Sequence, residues 1–260
     1  MKNLFLLLII CLLLACKKER DAKPKPTCLI TRIDKTGGSF SIYEYDESKR
    51  LKSFYVYKAP EGGTTESKIN YTIERDNHHR IYKIVANYGI GYSLITKTFE
   101  YDNQGRWIRA KLGPTFDANI LTTIYTTTDV DYNSEGLIAK TTDTHGPLFF
   151  YSNTYEYQNN NLIRSIFEAN STSTCQYEYY LNKETKPGEI DLLKIYLANF
   201  SSPVAASPAK NILKKFTKDD VALEEYTYEF NEYGYPTRII TQPNAINATK
   251  SVTSITYMCN

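Results

Sequence analysis

Phe99-Glu100-Tyr101-Asp102-Asn103-Gln104-Gly105-Arg106-Trp107 decides how this chain of 260 residues folds. Phe99, Glu100 and Tyr101 alternate with a period of two, which places both rings on one face of a strand and the carboxylate on the other. Asp102 has the short acceptor side chain that caps the opening of a type I turn. Gly105 stands three residues later, where such a turn, closed by a bulge, needs left-handed backbone. Trp107 starts a return strand. The nonapeptide is the tip of a β-hairpin.

Five further segments align with it without a gap, opening their turns at Asp46, Asp76, Asn133, Gln158 and Asn231. Their left-handed positions fall on Lys49, His79, Gly136, Asn161 and Gly234. Glycine and then asparagine suit that backbone best, so the turns at Lys49 and His79 are expected to be strained or of another type. Tyr177-Glu178-Tyr179 supplies one more first half, whose turn has been replaced. The turn openings lie 25 to 31 residues apart, except for 73 between Gln158 and Asn231. Such a repeat is two strands with a turn at each end. Regular tips then lie on one side of a meander and variable loops on the other. Those loops include Pro60–Gly63, Tyr88–Gly91, Gly113-Pro114, His145–Pro147 and Gln242–Asn244. From Asn182 to Lys210 the pattern breaks at Pro187, Pro203 and Pro208. There Leu192, Leu193, Tyr196, Leu197 and Phe200 recur with helical spacing, although the stretch is short enough for a strand. The expected fold class is all-β: an antiparallel up-and-down meander of about 16 strands, within two either way, curled into a soluble barrel or half-barrel. One short helical or irregular insertion near 182–210 interrupts it.

The N-terminus carries an address. Lys2 precedes an unbroken apolar run from Leu4 to Ala15, the layout of a secretory signal peptide and too short to span a bilayer. It ends Leu13-Leu14-Ala15-Cys16, which resembles the bacterial lipobox, with Leu14 bulkier than the usual occupant of its position. That resemblance implies cleavage before Cys16 and lipidation of its sulfur, with two or three acyl chains giving a stable anchor. The charged, proline-containing run from Lys17 to Pro26 reads as a solvated tether. The expected organisation is therefore a signal over 1–15, a lipidated tether over 16–26 and a single β-domain over 27–260. The expected location is the cell envelope, lipid-anchored at the outer membrane and facing either periplasm or medium.

The string Tyr101-Asp102-Asn103-Gln104-Gly105-Arg106 resembles the YD repeat of Rhs-type wall proteins. Joined to a lipobox and a tether, such tyrosine-rich hairpins resemble a domain-of-unknown-function family of Bacteroidetes lipoproteins with a porin-like fold. The resemblance implies a curled meander and no activity. The strict Rhs shell pattern is absent, so toxin encapsulation is not implied.

With Cys11 in the signal and Cys16 lipidated, Cys28, Cys175 and Cys259 remain, and at most one pair can form among them. Cys28 opens the first strand and Cys259 ends the last. In a closed meander with an even strand count these two meet; in an open sheet they lie at opposite edges, too far apart to bridge. Cys175 would then be a free, small, buried hydrophobe. Tyrosine is the compositional outlier, at 23 residues. The plain reading is that the rings pack the inner face. The functional one is that some line a cavity, since a barrel of this size is not easily filled by side chains.

Glu44, Glu74, Glu100, Asp131, Glu156, Glu178 and Glu229 share the opposite face, which suits water better than lipid. The domain's near-balanced charge, with 31 basic and 29 acidic residues over the chain, argues against nucleic acid. His78 and His79 fall on a tip and His145 in a loop, without the spacing of a zinc site, so neither metal nor cofactor is expected. No nucleophile elbow or phosphate-binding glycine loop occurs. Three readings follow: a carrier of an envelope lipid or glycan, a scaffold presenting variable loops to an envelope protein, and a glycan-cleaving enzyme. The first leads, no catalytic residue is nominated, and a monomer is expected.

Overall fold

The computed structural model describes residues 26–60, 66–89, 94–117, 122–146, 149–186, 209–244 and 248–259. Sixteen strands follow one another along the described chain. They are β1 (Cys28–Lys35), β2 (Phe40–Tyr45), β3 (Leu51–Lys58), β4 (Ser67–Arg75), β5 (Ile81–Asn87), β6 (Ile95–Tyr101), β7 (Trp107–Asp117) and β8 (Thr122–Tyr132), then β9 (Ile138–His145), β10 (Phe149–Gln158), β11 (Asn161–Glu168), β12 (Thr172–Glu184), β13 (Asn211–Lys218), β14 (Val221–Phe230), β15 (Pro236–Pro243) and β16 (Ser251–Cys259). Every strand pairs antiparallel with its sequence neighbours, and β1 pairs with β16, so the sheet is a closed barrel. Cys28 lies opposite Cys259 in that seam, and the two form a disulfide. Cys175 is free and buried. The amphipathic stretch at Leu192–Phe200 and the lipidation position Cys16 lie outside the described residues.

The hairpin tips gather on one rim, and they repeat one hydrogen-bond pattern. At the first tip Lys49 N–H donates to the Asp46 carbonyl at 2.8 Å, while Arg50 N–H donates to Asp46 Oδ1 at 2.9 Å. Asp76, Asp102, Asn133 and Asn231 accept in the same way from Arg80, Arg106, Leu137 and Tyr235. The left-handed residue is Gly105, Gly136 and Gly234 in three tips, and Lys49 (φ 61°) and His79 (φ 64°) in the other two. Those two turns are thus of the same kind as the glycine turns and carry the strain of a side chain at positive φ.

The tip after β10 is different. Gln158 pairs directly with Asn161, leaving a two-residue loop in which Asn159 (φ 53°) and Asn160 (φ 60°) are both left-handed. Asn161 is therefore a buried strand residue rather than a turn residue. The physical reason lies in Gln158, whose side chain is one methylene longer than the Asp or Asn that caps the other turns, whereas Asn-Asn suits a two-residue hairpin. The loop expected at Gly113-Pro114 is instead inside β7, where the register shifts between Leu112 and Thr115. A bulge accommodates both residues there without ending the strand.

The two walls differ in character. On the outside, Glu74 pairs with Lys83 at 2.8 Å, Glu100 with Lys111 at 2.6 Å, Asp129 with Arg109 at 2.5 Å, Glu156 with Arg164 at 3.1 Å and Glu229 with Arg238 at 2.9 Å. Charge at this density suits water better than hydrocarbon, where each Lys or Arg at the midplane costs about 2–4 kcal/mol and each Asp or Glu somewhat less. On the inside, Leu51, Phe54, Ile73, Ile81, Ile84, Phe99 and Ala110 form one apolar cluster. Val130, Ile138, Tyr155, Leu162, Cys175 and Tyr177 form a second. The filling is uneven: inward residues from β3 to β12 are largely buried, whereas those of β14, β15, β16 and β2 are only half-buried.

Candidate functional site

The tip rim is a structural device. Between neighbouring hairpins the strand ladders stop short of it; β5 and β6, for example, last pair at Lys83 and Thr98. The splayed strands leave carbonyls that the ladder no longer satisfies, and a buried backbone carbonyl needs a partner. Tyrosine hydroxyls supply them. Tyr45 donates to Ile30, Tyr101 to Ile81, Tyr132 to Trp107, Tyr157 to Ile138, Tyr179 to Leu162, Tyr228 to Leu213 and Tyr257 to Pro236, all at 2.6–2.8 Å. At the one junction without a tyrosine, Arg75 Nη2 donates to the Leu51 carbonyl at 3.1 Å. The turn arginines add to this: Arg80 lies over the Tyr101 ring and Arg106 over the Tyr132 ring, each 4.5 Å from the centroid.

The turn carboxylates belong to the same device. Asp46 lies below its ordinary carboxylate range because the Arg50 N–H and guanidinium bond to it. At Asp102 desolvation pulls the other way and is outweighed by the bonds from Arg106 and Gln104. The site positions named from the sequence at Asp46, Asp76, Asp102, Gly105, Asn133, Gly136, Asn231 and Gly234 all fall on this rim. So do Cys28 and Cys259, where the first strand begins and the last one ends. Asn161 is near them in a buried clasp, its Nδ2 donating to Asn211 Oδ1 at 3.0 Å and its Oδ1 accepting from Asn211 N–H at 2.8 Å. That clasp joins the first residue of β11 to the first residue of β13.

Chemistry-bearing side chains meet elsewhere, on the inner wall of β6, β8, β9 and β10 toward the opposite, loop rim. Thr128 Oγ1 donates to Asp143 Oδ1 at 2.5 Å. His145 is not in a loop but ends β9; its Nδ1 lies 3.0 Å from Thr126 Oγ1 and its Nε2 2.8 Å from the Tyr151 hydroxyl. Thr141 and Tyr155 share a hydrogen bond at 3.0 Å. Asp143 is 1 % exposed, Asn153 2 % and Lys97 8 %.

Burial disfavours each charge. Desolvation raises Asp143 to about 6 against the opposing pull of Thr128 and Lys97. It lowers Lys97 to about 8, with Asp143 resisting. Desolvation likewise lowers His145 and raises Tyr151 and Tyr155. Lys97 and Asp143 sit three strands apart yet feel each other's charge across the concave wall. Such a cluster of shifted groups is a candidate functional position, although buried structural networks shift charges in the same way.

Sequence reading passed over Lys97, Thr126, Thr128, Asp143 and Asn153. The usable signal was register: Thr128 lies two residues beyond the inward-facing Val130, and Asp143 two beyond the inward-facing Thr141. His78 and His79 stay exposed on their tip. Among the described residues no group of three or more His, Cys, Asp or Glu is placed to hold a metal ion. The inner wall also has an open side. Tyr226, Tyr228 and Phe230 of β14, Ile239 of β15 and Ile255 and Tyr257 of β16 are half-buried and face the lumen. Tyr180 meets Tyr228 edge to face at 6.3 Å and donates to the Tyr226 carbonyl at 3.0 Å.

No family model matches this sequence, and neither does any curated protein. Solved structures do. A porin-like protein from Bacteroides uniformis superposes with a TM-score of 0.60 at 14 % identity, over 88 % of this chain and 98 % of that one. A porin-like protein from Bacteroides vulgatus covers the same shares at 10 % identity, with a TM-score of 0.41. At these identities the likeness to the Bacteroides uniformis protein is one of fold: this chain shares its barrel architecture.

Proposed function

We propose that this protein is an envelope lipoprotein, anchored through Cys16, whose barrel binds a ligand inside its lumen without performing chemistry on it. The observation that carries the reading is the contrast between the walls. The outer one closes on itself through ion pairs, whereas the inner one keeps half-exposed rings and a buried polar cluster. Chain connectivity gives the barrel an orientation in this reading. Cys28 lies on the tip rim, so a lipid at Cys16 turns that rim toward the membrane and the loop rim away from it. The intervening segment reaches about 40 Å when extended. Binding rather than catalysis fits the carboxylate: Asp143 is sealed and already hydrogen-bonded, leaving a substrate atom no approach.

The test is native mass spectrometry of the mature chain purified from its own envelope without reductant. A co-purifying adduct that is released on denaturation supports luminal carriage. A bare chain in every preparation defeats it and favours a second reading, a scaffold for an envelope protein. The observation behind that alternative is the loop rim, where Phe149 is 62 % and Phe150 66 % exposed.

A further inference from the structure

We propose that the loop rim is the interface of a homodimer, in which two copies meet mouth to mouth about a two-fold axis through the β7–β8 and β15–β16 connections. The proposal goes beyond luminal binding, does not depend on it, and replaces the expected monomer. Its starting point is how charge is handled across the molecule. The outer wall matches Glu74, Glu100, Glu156 and Glu229 with neighbouring Lys or Arg. The tips match Asp46, Asp76 and Asp102 with the arginine four residues on. The loop rim instead sorts its charge by sign. Lys35 and Lys58 are exposed on one side of it, and Glu168 and Asp220 on the other. None of these four makes an ion pair among the described residues; Glu168 and Asp220 accept from the neutral Ser152 and Gln176. Their charged neighbours are held locally: Glu66 takes the Tyr57 hydroxyl, and Asp219, next to Lys218, takes the Ser173 hydroxyl and the Thr174 N–H.

The sixteen strands run in chain order around the barrel, so eight connections stand on this rim. Rotation about the proposed axis exchanges β1–β2 with β13–β14, β3–β4 with β11–β12, and β5–β6 with β9–β10. Lys35 then faces the partner's Asp220, and Lys58 faces the partner's Glu168. The third exchange brings together the apolar spots of the rim. Tyr88 and Leu94 flank the β5–β6 connection, with Leu94 52 % exposed. Phe149 and Phe150 follow the β9–β10 connection and are the most exposed rings among the described residues. Clustered apolar side chains in water mark contact surfaces, and a two-fold interface must be complementary to itself. One axis satisfies all three exchanges. An axis one connection further either way would set Lys35 on the partner's Lys35, or Asp220 on the partner's Asp220, and like charges in an interface are costly. A lipid surface would take the rings but make no use of the sorted charge.

The experiment is sedimentation equilibrium of the mature chain purified from its own envelope, in non-ionic detergent, from sub-micromolar to hundreds of micromolar. A reversible monomer–dimer equilibrium is expected. Phe150→Ser is expected to weaken it about a hundredfold, because two-fold symmetry removes the ring twice. Lys35→Glu is expected to weaken it about tenfold, and Lys35→Glu/Asp220→Lys to restore it. Lys250→Glu makes the same change in net charge at the β15–β16 connection, on the axis, where the side chain meets its own copy. It is expected to leave the equilibrium unchanged. All of these side chains are exposed, and an unchanged far-ultraviolet spectrum checks that each variant folds. A chain that stays monomeric over the whole range overturns the proposal and leaves the rings to a different envelope protein. A dimer indifferent to Phe150→Ser overturns it too, since its interface lies elsewhere. So does a double variant that fails to recover, or a Lys250→Glu as weak as Lys35→Glu, the sign of general charge repulsion. Luminal carriage stands or falls separately, on the adduct in the mass spectrum.

Discussion

Single residues set the geometry of the tips, and there the energetics are most easily tested. Lys49 and His79 hold left-handed backbone with a Cβ in place, which costs roughly 1 kcal/mol relative to glycine. Lys49→Gly and His79→Gly should each raise stability by about 0.5–1 kcal/mol, seen as a higher urea midpoint with an unchanged slope. Asn133→Ala removes the acceptor for the N–H groups of Glu135 and Leu137 and should lower stability by about 1–2 kcal/mol; Asn133→Asp should not. Inside the wall, Asp143 gives a pH signature. Its carboxyl is raised to about 6, so the folded state favours the protonated form. That contribution is complete below the unfolded value near 4 and is lost as pH rises through about 6. Lys97, lowered to about 8, favours its neutral form, and that contribution disappears as pH falls from above 10 through about 8. A carbon-detected titration should place the Asp143 midpoint near 6, and Lys97→Met should move it upward by removing the cation that opposes the shift. A midpoint near 4 would show that water reaches the carboxyl.

At the scale of elements, the unit of this fold is a hairpin plus a clasp. Strand pairs joined at the loop rim splay before they reach the tip rim, and a phenolic hydroxyl closes each splay by taking the carbonyl that the ladder drops. This is why tyrosine, rather than phenylalanine, recurs before the turns. Tyr101→Phe keeps the ring and loses the bond to the Ile81 carbonyl. It should cost about 1 kcal/mol and speed amide exchange at the tip ends of β5 and β6 more than in their paired middles. Uniform exchange across both strands would show that water replaces the hydroxyl at no cost. The hairpins were legible in the sequence because a turn is local: Asp102 and Gly105 determine it within four residues. The clasps and the polar cluster were not, because they depend on register carried further along the strand. Threonine occurs on both faces of β8, so Thr126 and Thr128 look no different from the outward Thr127. Asp143 resembles the outward acids until the bulge near Ile138 is counted. Tyrosine content suggested packing, and only the splay of the strands shows what the hydroxyls do.

For the molecule as a whole, the deciding contact is the seam. Pairing of β1 with β16 removes both sheet edges, which an open meander would expose to other chains. Seven residue pairs run along that seam, from Cys28 opposite Cys259 to Lys35 opposite Thr253. The disulfide spans 231 residues of sequence. On the chain-entropy model, tying ends that far apart restricts the unfolded chain by up to about 5 kcal/mol. The ladder and the disulfide therefore act on different states: the ladder holds the folded barrel shut, and the covalent bond limits how far the unfolded ends can separate. A Cys28→Ala/Cys259→Ala variant should keep its far-ultraviolet spectrum and lose several kcal/mol in denaturant unfolding. Its amides in β1 and β16 should exchange faster than those in β8 and β9, because only the ends have gained freedom to fray. If instead all sixteen strands lost protection together, the bond itself would be what closes the sheet, and the hydrogen-bonded seam would be too weak to hold the barrel without it.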